Sequence, residues 1–322
     1  MEMDPSRGLV CVLGRMGAMG DMSVMGALMA MTMIAIGAVT EHPLAGGPVE
    51  VVATGFTFTE GPVWTADRVM LFTDIPNDVI LRTDKTEFRK PSGKANGLTL
   101  DERSRLVACE HWNRRVTRTE KDGTISVIAD SYAGKKFNSP NDVAVRNDGV
   151  LFFTDPDYGL EGREKEQPCN GVYAVMPDGN VKLLGDDFKK PNGIALSVDQ
   201  KSLYVADTEG SHIRAFTVNA DATLSDGKVL CPVPGPDGLR VDSAGNIWCT
   251  GEGGIHVFPA RVNRLAYSRF RRHPRIARLA MTISRPCTLR PSIQFTRSDA
   301  RFRVNRLAAS SQNSWRFVCR AA

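Results

Sequence analysis

The amino-acid sequence predicts an all-β protein built as a β-propeller. A short motif occurs five times: a turn with an acidic or amide residue, an apolar strand, and a second strand that ends in a polar residue, an acid in four copies. The first residues of the copies, called the lead residues below, lie 36, 45, 51 and 45 residues apart; they are Glu60, Asn96, Asn141, Asn192 and Asp237. A period near 45 residues with several short strands per repeat is typical of propeller blades.

The residues inside each copy favour strands. Apolar residues alternate or run for four to six positions, and no stretch between residues 50 and 258 keeps a helical period. The strand-end acid follows its lead residue by 14 positions in the first three copies and by 15 in the fourth. Four Asp-Gly pairs are predicted to form hairpin turns, because glycine adopts a positive φ without strain; they end at Gly123, Gly149, Gly179 and Gly227.

The formal net charge of +5 is the sum of two unlike parts. Residues 1–260 carry 26 Lys and Arg against 35 Asp and Glu, whereas residues 261–322 carry 15 Arg, no Lys and the single acid Asp299. An acidic propeller body gives no reason to expect a nucleic-acid partner. The seven cysteines show no paired spacing and no companion His cluster, which predicts buried or unreactive thiols. The cysteines therefore do not indicate the cellular compartment.

Residues 1–45 are predicted to be a signal-like or wrongly started N-terminal extension. They hold nine of the twelve methionines and an apolar run from Met22 to Val39. A signal peptide would place the protein outside the cytoplasm, but Asp21 and other acids offset the positive charge expected before such a run. An early start codon explains the segment equally well. A stable membrane anchor is not expected, because about 18 residues is at the short limit for spanning a bilayer.

The propeller is predicted to occupy residues 46–259, and an Arg-rich tail follows at 260–322. Asp-Gly turns stop at this boundary and Arg appears about every fourth residue. A basic arm for anionic partners is one interpretation. The preferred one is a disordered tail translated from a shifted reading frame, since one choice of codons for Met281–Arg297 yields another strand–turn–strand copy in a second frame.

The lead residues are the candidate site. In a propeller the innermost strands of successive blades surround one central channel, so residues at equivalent positions converge there. Glu60, Asn141, Asn192 and Asp237 would present two carboxylates and two amide oxygens. Such donors suit a hard divalent ion, Ca²⁺ first, with Mg²⁺, Mn²⁺ or Zn²⁺ as alternatives. Each residue alone is also explained as a turn former, and only their repetition favours a metal site.

Three residues are predicted to bind substrate at this site, and one of them, Asn141, is also a candidate metal ligand. Asn96 occupies the equivalent position in its copy and is a substrate-binding candidate, as is Asn141. The strand-end acids Asp74, Asp155 and Asp207 are interpreted mainly as acceptors for backbone amides in adjacent turns, with Asp207 also predicted to bind substrate.

The motifs resemble those of the gluconolactonase, senescence-marker-protein and luciferin-regenerating-enzyme family of six-bladed propellers. The resemblance covers residues 50–258, and its specific segments are Glu60-Gly-Pro-Val-Trp, Asn138-Ser-Pro-Asn-Asp-Val, Phe153-Thr-Asp-Pro-Asp-Tyr-Gly, Pro191-Asn-Gly-Ile-Ala and Pro236-Asp-Gly-Leu-Arg-Val-Asp. It implies a six-bladed propeller, here with the last blade incomplete or replaced. It also implies that Glu60, Asn192 and Asp237 are metal ligands and that Asn141 binds metal or substrate.

The resemblance implies metal-dependent hydrolysis of a sugar lactone such as gluconolactone, with Asp237 as the general base. No Gly-x-Ser-x-Gly motif supports a serine hydrolase. Three alternatives remain: a phosphotriesterase-like hydrolase on the same ion site, a non-catalytic binding propeller, and an inactive product that lacks its last blade. The small-molecule lactone is the only partner expected.

Overall fold

The computed structural model describes residues 10–14, 50–259, 268–269, 278–283 and 315–320. Every regular element in these ranges is a β-strand. Across the same ranges there is no helix long and apolar enough to cross a membrane. The predictions for residues 1–45 and 260–322 fall mainly outside the described residues and stay predictions.

The strands form a parallel pair, five four-stranded antiparallel sheets and two short antiparallel pairs. The parallel pair is β1 (Val10–Gly14) and β2 (Glu50–Phe56). The first sheet contains β3 (Thr59–Trp64), β4 (Met70–Asp74), β5 (Val79–Arg82) and β6 (Glu87–Arg89). The second contains β7 (Ala95–Leu100), β8 (Leu106–Glu110), β9 (Arg115–Thr119) and β10 (Ile125–Ala129). A ribbon of β11 (Ser131–Tyr132) and β12 (Lys135–Lys136) follows.

The remaining sheets repeat the same meander order. The third contains β13 (Val143–Val145), β14 (Leu151–Asp155), β15 (Asn170–Val175) and β16 (Val181–Phe188). The fourth contains β17 (Pro191–Leu196), β18 (Ser202–Asp207), β19 (His212–Val218) and β20 (Leu224–Pro232). The fifth contains β21 (Leu239–Val241), β22 (Ile247–Gly251), β23 (Gly254–Phe258) and β24 (Ser268–Arg269). The last pair is β25 (Arg278–Ile283) and β26 (Trp315–Arg320).

The five sheets are arranged as the blades of a propeller. Their innermost strands β3, β7, β13, β17 and β21 neighbour one another in this order. The prediction of an all-β propeller is therefore confirmed, with five four-stranded blades in the described residues. Strand β25 lies against both β21 and β3, between the fifth blade and the first.

Burial explains which apolar patterns the sequence shows. The second strands β4, β8 and β14 are buried along their whole length, so they read as nearly continuous apolar runs. The outer strand β10 alternates between more and less exposed positions, as expected of a strand with one solvated face. Apolar side chains therefore fill the space between neighbouring sheets, as where Phe152 of the third blade and Leu203 of the fourth share one core. The polar lead residues are left for the centre of the ring.

Three of the four predicted Asp-Gly hairpin turns are confirmed. Gly123, Gly149 and Gly179 have φ values of 85°, 89° and 87° and connect consecutive strands. The fourth prediction is wrong, because Gly227 lies inside β20. A Cβ at Gly227 would lie 2.6 Å from a ring carbon of Phe216, so this glycine makes room for an aromatic side chain of the adjacent strand.

Candidate active site

Four of the five lead residues line one small cavity at the centre of the ring. Glu60, Asn96, Asn141 and Asn192 come from four different blades, and Gly238 and Arg240 of the fifth blade also line it. The cavity has a volume of about 20 Å³, which is room for one water molecule or one ion. A larger cleft of about 870 Å³ lies between the first two blades, and no lead residue lines it.

Asp237 lies at the edge of this group. The residue is partly exposed, and its main chain is fixed on both sides: its N–H donates to Thr250 O at 2.8 Å, and its carbonyl accepts from Gly193 N at 3.0 Å. Burial, and to a smaller extent the negative charge of Asp237, raises the pKa of Tyr158. The Asp237 carboxylate therefore lies near Tyr158, and Asp237 is not among the residues that line the cavity.

Bulges in the innermost strands position the lead residues. Strand pairing shifts register between Glu60 and Val63, between Ala95 and Leu98, and between Pro191 and Ile194. A bulge re-aims the side chains beside it. The Asn-Gly pairs at 96–97 and 192–193 thus lie inside strands, which corrects their interpretation as turn formers.

The glycine after a lead residue is required by the close approach of the next blade. A Cβ at Gly61 would lie 2.1 Å from Asn96 O, and one at Gly193 would lie 2.5 Å from Asp237 O. Any larger residue would push neighbouring innermost strands apart. Glycine here serves backbone contact between blades.

Hydrogen bonds between neighbouring blades hold the carbonyl groups of the lead residues. Thr73 Oγ1 donates to Asn96 O at 3.0 Å, and Thr154 Oγ1 donates to Asn192 O at 2.7 Å. The N–H of Gly97 donates to Asn141 O at 2.7 Å. Each lead residue in this set is thus fixed by the blade that precedes it.

Asp142 and Arg240, which line the same cavity, form a largely buried ion pair. Arg240 Nη1 donates to Asp142 Oδ2 at 2.9 Å, and the same oxygen accepts from Ile194 N at 3.2 Å, so the pair joins the third, fourth and fifth blades. This pair was not predicted from the sequence. One feature of the sequence indicates it: Asp142 follows its lead residue at the position where the other copies have glycine.

We expect Arg240→Met to destabilise the protein by about 3–5 kcal/mol, because it leaves the buried carboxylate of Asp142 without its partner. The free energy of unfolding in urea measures this. The double variant D142N/R240M should recover a substantial part of the loss, since no buried charge then remains. Arg103→Met is the control, because its ion pair with Glu102 is largely exposed. Equal stability of R240M and R103M would contradict the prediction.

Asn96 contacts a histidine that was not predicted as a site residue. His111 Nε2 lies 3.1 Å from Asn96 Nδ2, and both residues are buried. Burial, with a smaller effect of Arg163, lowers the pKa of His111 to about 4, so the ring is neutral at pH 7. The feature of the sequence that could have indicated His111 is its position directly after the strand-end acid Glu110.

The loop between β14 and β15 packs against the neighbouring blades. Its Arg163 lies over the Trp112 ring at 4.2 Å and donates to Trp112 O at 2.6 Å, and its Glu161 pairs with Lys94 at 2.6 Å. Tyr158 of the same loop lies under the ammonium of Lys190 at 4.8 Å. This loop is thus bound to the second and fourth blades.

The strand-end acids bind backbone amides, as predicted. Asp74 accepts from Thr57 N and Phe58 N, each at 3.0 Å. Asp155 accepts from Asn138 N at 2.8 Å, and its burial raises its pKa to about 8.

Asp207 lies apart from the cavity lining. Its carboxylate accepts from Lys189 N, Lys190 N and Gly210 N at 3.0, 2.8 and 3.1 Å. Both oxygens are used by the main chain, which favours a structural role. Its assignment as a substrate-binding residue stays a prediction.

The donors at the centre fit a hard divalent ion. Within the part of the chain that the structure describes, no three His, Cys, Asp or Glu side chains cluster as a metal site, so an ion here depends on amide oxygens as well as carboxylates. Asp142 is paired with Arg240, so the carboxylates that could contribute to an ion site are those of Glu60 and Asp237. Oxygen donors of this kind are preferred by Ca²⁺ and Mg²⁺.

Fold and cavity together define the class of protein: a β-propeller with a small polar site at the centre of its ring. The model of the SMP-30/gluconolactonase/LRE-like region matches residues 58–267, and the chain belongs to this family. It is 31% identical over 246 residues to a gluconolactonase from Zymomonas mobilis, a match that covers 66% of this chain and 69% of that protein.

Other relatives agree with this placement. The structure of a gluconolactonase from Xanthomonas campestris superposes with a TM-score of 0.64 at 33% identity, covering 71% of this chain and 80% of the other. Regucalcin from Pongo abelii is 25% identical over 203 residues, covering 59% of this chain and 66% of the relative. The chain is therefore a hydrolase that acts on a lactone.

Proposed function

We propose that the protein hydrolyses a sugar lactone in a reaction that depends on a divalent metal ion, Ca²⁺ first among the candidates. The observation that carries this proposal is the convergence of Glu60, Asn96, Asn141 and Asn192 on one cavity of about 20 Å³. The relatedness to gluconolactonases supports the sugar lactone as the substrate.

Glu60, Asn141, Asn192 and Asp237 would hold the ion. When bound, a divalent ion supplies polarisation of the lactone carbonyl and lowers the pKa of a nearby water. The carboxylate of Asp237 accepts the proton as water attacks the carbonyl carbon. The ring C–O bond then breaks, and the proton passes to the ring oxygen to give the hydroxy acid. Asn96 and Asn141 orient hydroxyl groups of the substrate.

We further propose that the ring has six blade positions. Strand β25 lies between β21 and β3, and β26 pairs with β25 and lies next to β1 and β2. These four strands come from both ends of the chain. In this arrangement they occupy the position of the sixth blade and cover the exposed edges of the first and fifth, which would otherwise invite aggregation.

A substrate panel tests the reaction class. We expect the protein to hydrolyse glucono-δ-lactone, followed as acid release with a pH indicator against the spontaneous rate. An aryl phosphotriester should be turned over at least tenfold more slowly, about 1.4 kcal/mol in transition-state binding. Faster phosphotriester turnover would replace the proposal with the phosphotriesterase alternative. Binding of lactone without turnover would favour a non-catalytic propeller.

A further inference from the structure

We propose that His111 is a positioning residue, one that turns the side-chain oxygen of Asn96 toward a hydroxyl group of the lactone. This inference rests on the proposed function and extends it to the class of substrate. It starts from the 3.1 Å contact between His111 Nε2 and Asn96 Nδ2. His111 does not line the cavity, so its action passes through Asn96.

The chemistry of the contact fixes the orientation of the amide. The nitrogen of a carboxamide only donates hydrogen bonds, so His111 Nε2 must be the unprotonated, accepting nitrogen of the ring. The oxygen of the planar amide then points away from His111. Asn96 lines the cavity, and on this inference its Oδ1 is the amide atom that faces the substrate as an acceptor. An acceptor there selects substrates that carry a hydrogen-bond donor.

The loop between β14 and β15 holds the His111 ring in place and keeps it neutral. A Cβ at Gly159 would lie 2.6 Å from His111 Cβ and Cγ, so the loop backbone packs directly on the ring. Gly159 is itself held by a hydrogen bond from its N–H to the buried Ser139 Oγ at 2.9 Å. Arg163 donates to His111 O at 3.4 Å and adds a positive charge that opposes protonation of the ring.

This arrangement links one blade to the substrate preference of another. A loop of the third blade holds His111 of the second blade in place. His111 in turn fixes which end of the Asn96 amide group faces the substrate. Loss of the accepting nitrogen would let the amide rotate and present its NH₂ group to the substrate. Lactones that bear ring hydroxyl groups would lose a hydrogen bond, whereas unsubstituted lactones would lose nothing.

The test compares glucono-δ-lactone with δ-valerolactone, which has no hydroxyl substituents. We expect His111→Leu to lower kcat/KM for glucono-δ-lactone by roughly tenfold, mainly through KM, as for one lost hydrogen bond. The value for δ-valerolactone should stay within about twofold, a change of only ~0.4 kcal/mol. His111→Gln should restore most of the loss, because its side-chain oxygen can accept from Asn96 Nδ2. In an Asn96→Ala background, His111→Leu should have no further effect on either substrate.

A matched control is His256→Leu, since His256 is also buried and its Nε2 lies 3.0 Å from Glu252 O in the fifth blade. This variant should leave the ratio of kcat/KM for glucono-δ-lactone to that for δ-valerolactone unchanged, even if the melting temperature falls. An unchanged ratio in H111L, or equal losses in H111L and H111Q, would overturn the inference. If H111L does not fold, the N96A and H111Q variants provide the test. N96A must lower the ratio of kcat/KM for glucono-δ-lactone to that for δ-valerolactone, and H111Q must leave this ratio unchanged. Failure of the wild-type protein to hydrolyse either lactone would instead refute the proposed function.

Discussion

Asp237→Asn is expected to lower kcat for lactone hydrolysis by roughly 10²–10⁴-fold, the usual contribution of a general base. An amide cannot accept the proton of the attacking water, but its oxygen can still bind a cation. The fold should be unaffected, because the hydrogen bonds that fix residue 237 to Thr250 and Gly193 are made by its main chain. Steady-state kinetics measures the loss, and metal content measures retention of the ion.

The control for this variant is Asp226→Asn. Asp226 is exposed in the fourth blade with a φ of 55°, a conformation that asparagine tolerates. It should keep the activity of the wild type. Substantial turnover by D237N at normal metal content would show that another group accepts the proton.

Removal of the metal ion is expected to abolish hydrolysis. Dialysis against a chelator should reduce the lactonase rate to the spontaneous rate, and addition of Ca²⁺ should restore it. The melting temperature should rise with Ca²⁺ concentration, because an ion that binds only the folded state stabilises it by mass action, about 2.7 kcal/mol at one hundred times Kd. The folded ring should survive chelation, since the hydrogen bonds between blades do not involve the ion.

A chelator already saturated with Ca²⁺ is the control and should not inhibit. Glu60→Gln should weaken the response of the melting temperature to Ca²⁺, because the variant retains one fewer negative charge at the site. Full activity in protein shown by elemental analysis to be free of metal would contradict metal dependence.

The convergence of lead residues could be predicted from the sequence because it follows from repetition alone. Once each repeat is a blade, equivalent positions such as Glu60, Asn96 and Asn192 must face the same centre. His111 could not be found in this way, since its role depends on a loop from the next blade that contacts it. Asp142 was missed because it breaks the repeat, and its partner Arg240 lies 98 residues away along the chain.

The Asp-Gly pair that ends at Gly227 shows a different limit of prediction from the sequence. The Asp-Gly pair there has the same local sequence as three true hairpin turns, yet its glycine accommodates the ring of Phe216 in the neighbouring strand. A dipeptide carries no information about that ring. Local propensity was correct where the glycine lies between two strands and failed where packing against a side chain of the adjacent strand set the requirement.

The hydrogen bonds between blades have a consequence for how such a protein can be changed. Thr73 belongs to one blade and holds Asn96 of the next, and Thr154 does the same for Asn192. A blade transplanted alone would bring its own lead residue but leave behind the donor that fixes it. The transferable module for engineering is thus the seam between two blades: the second strand of one with the innermost strand of the following one.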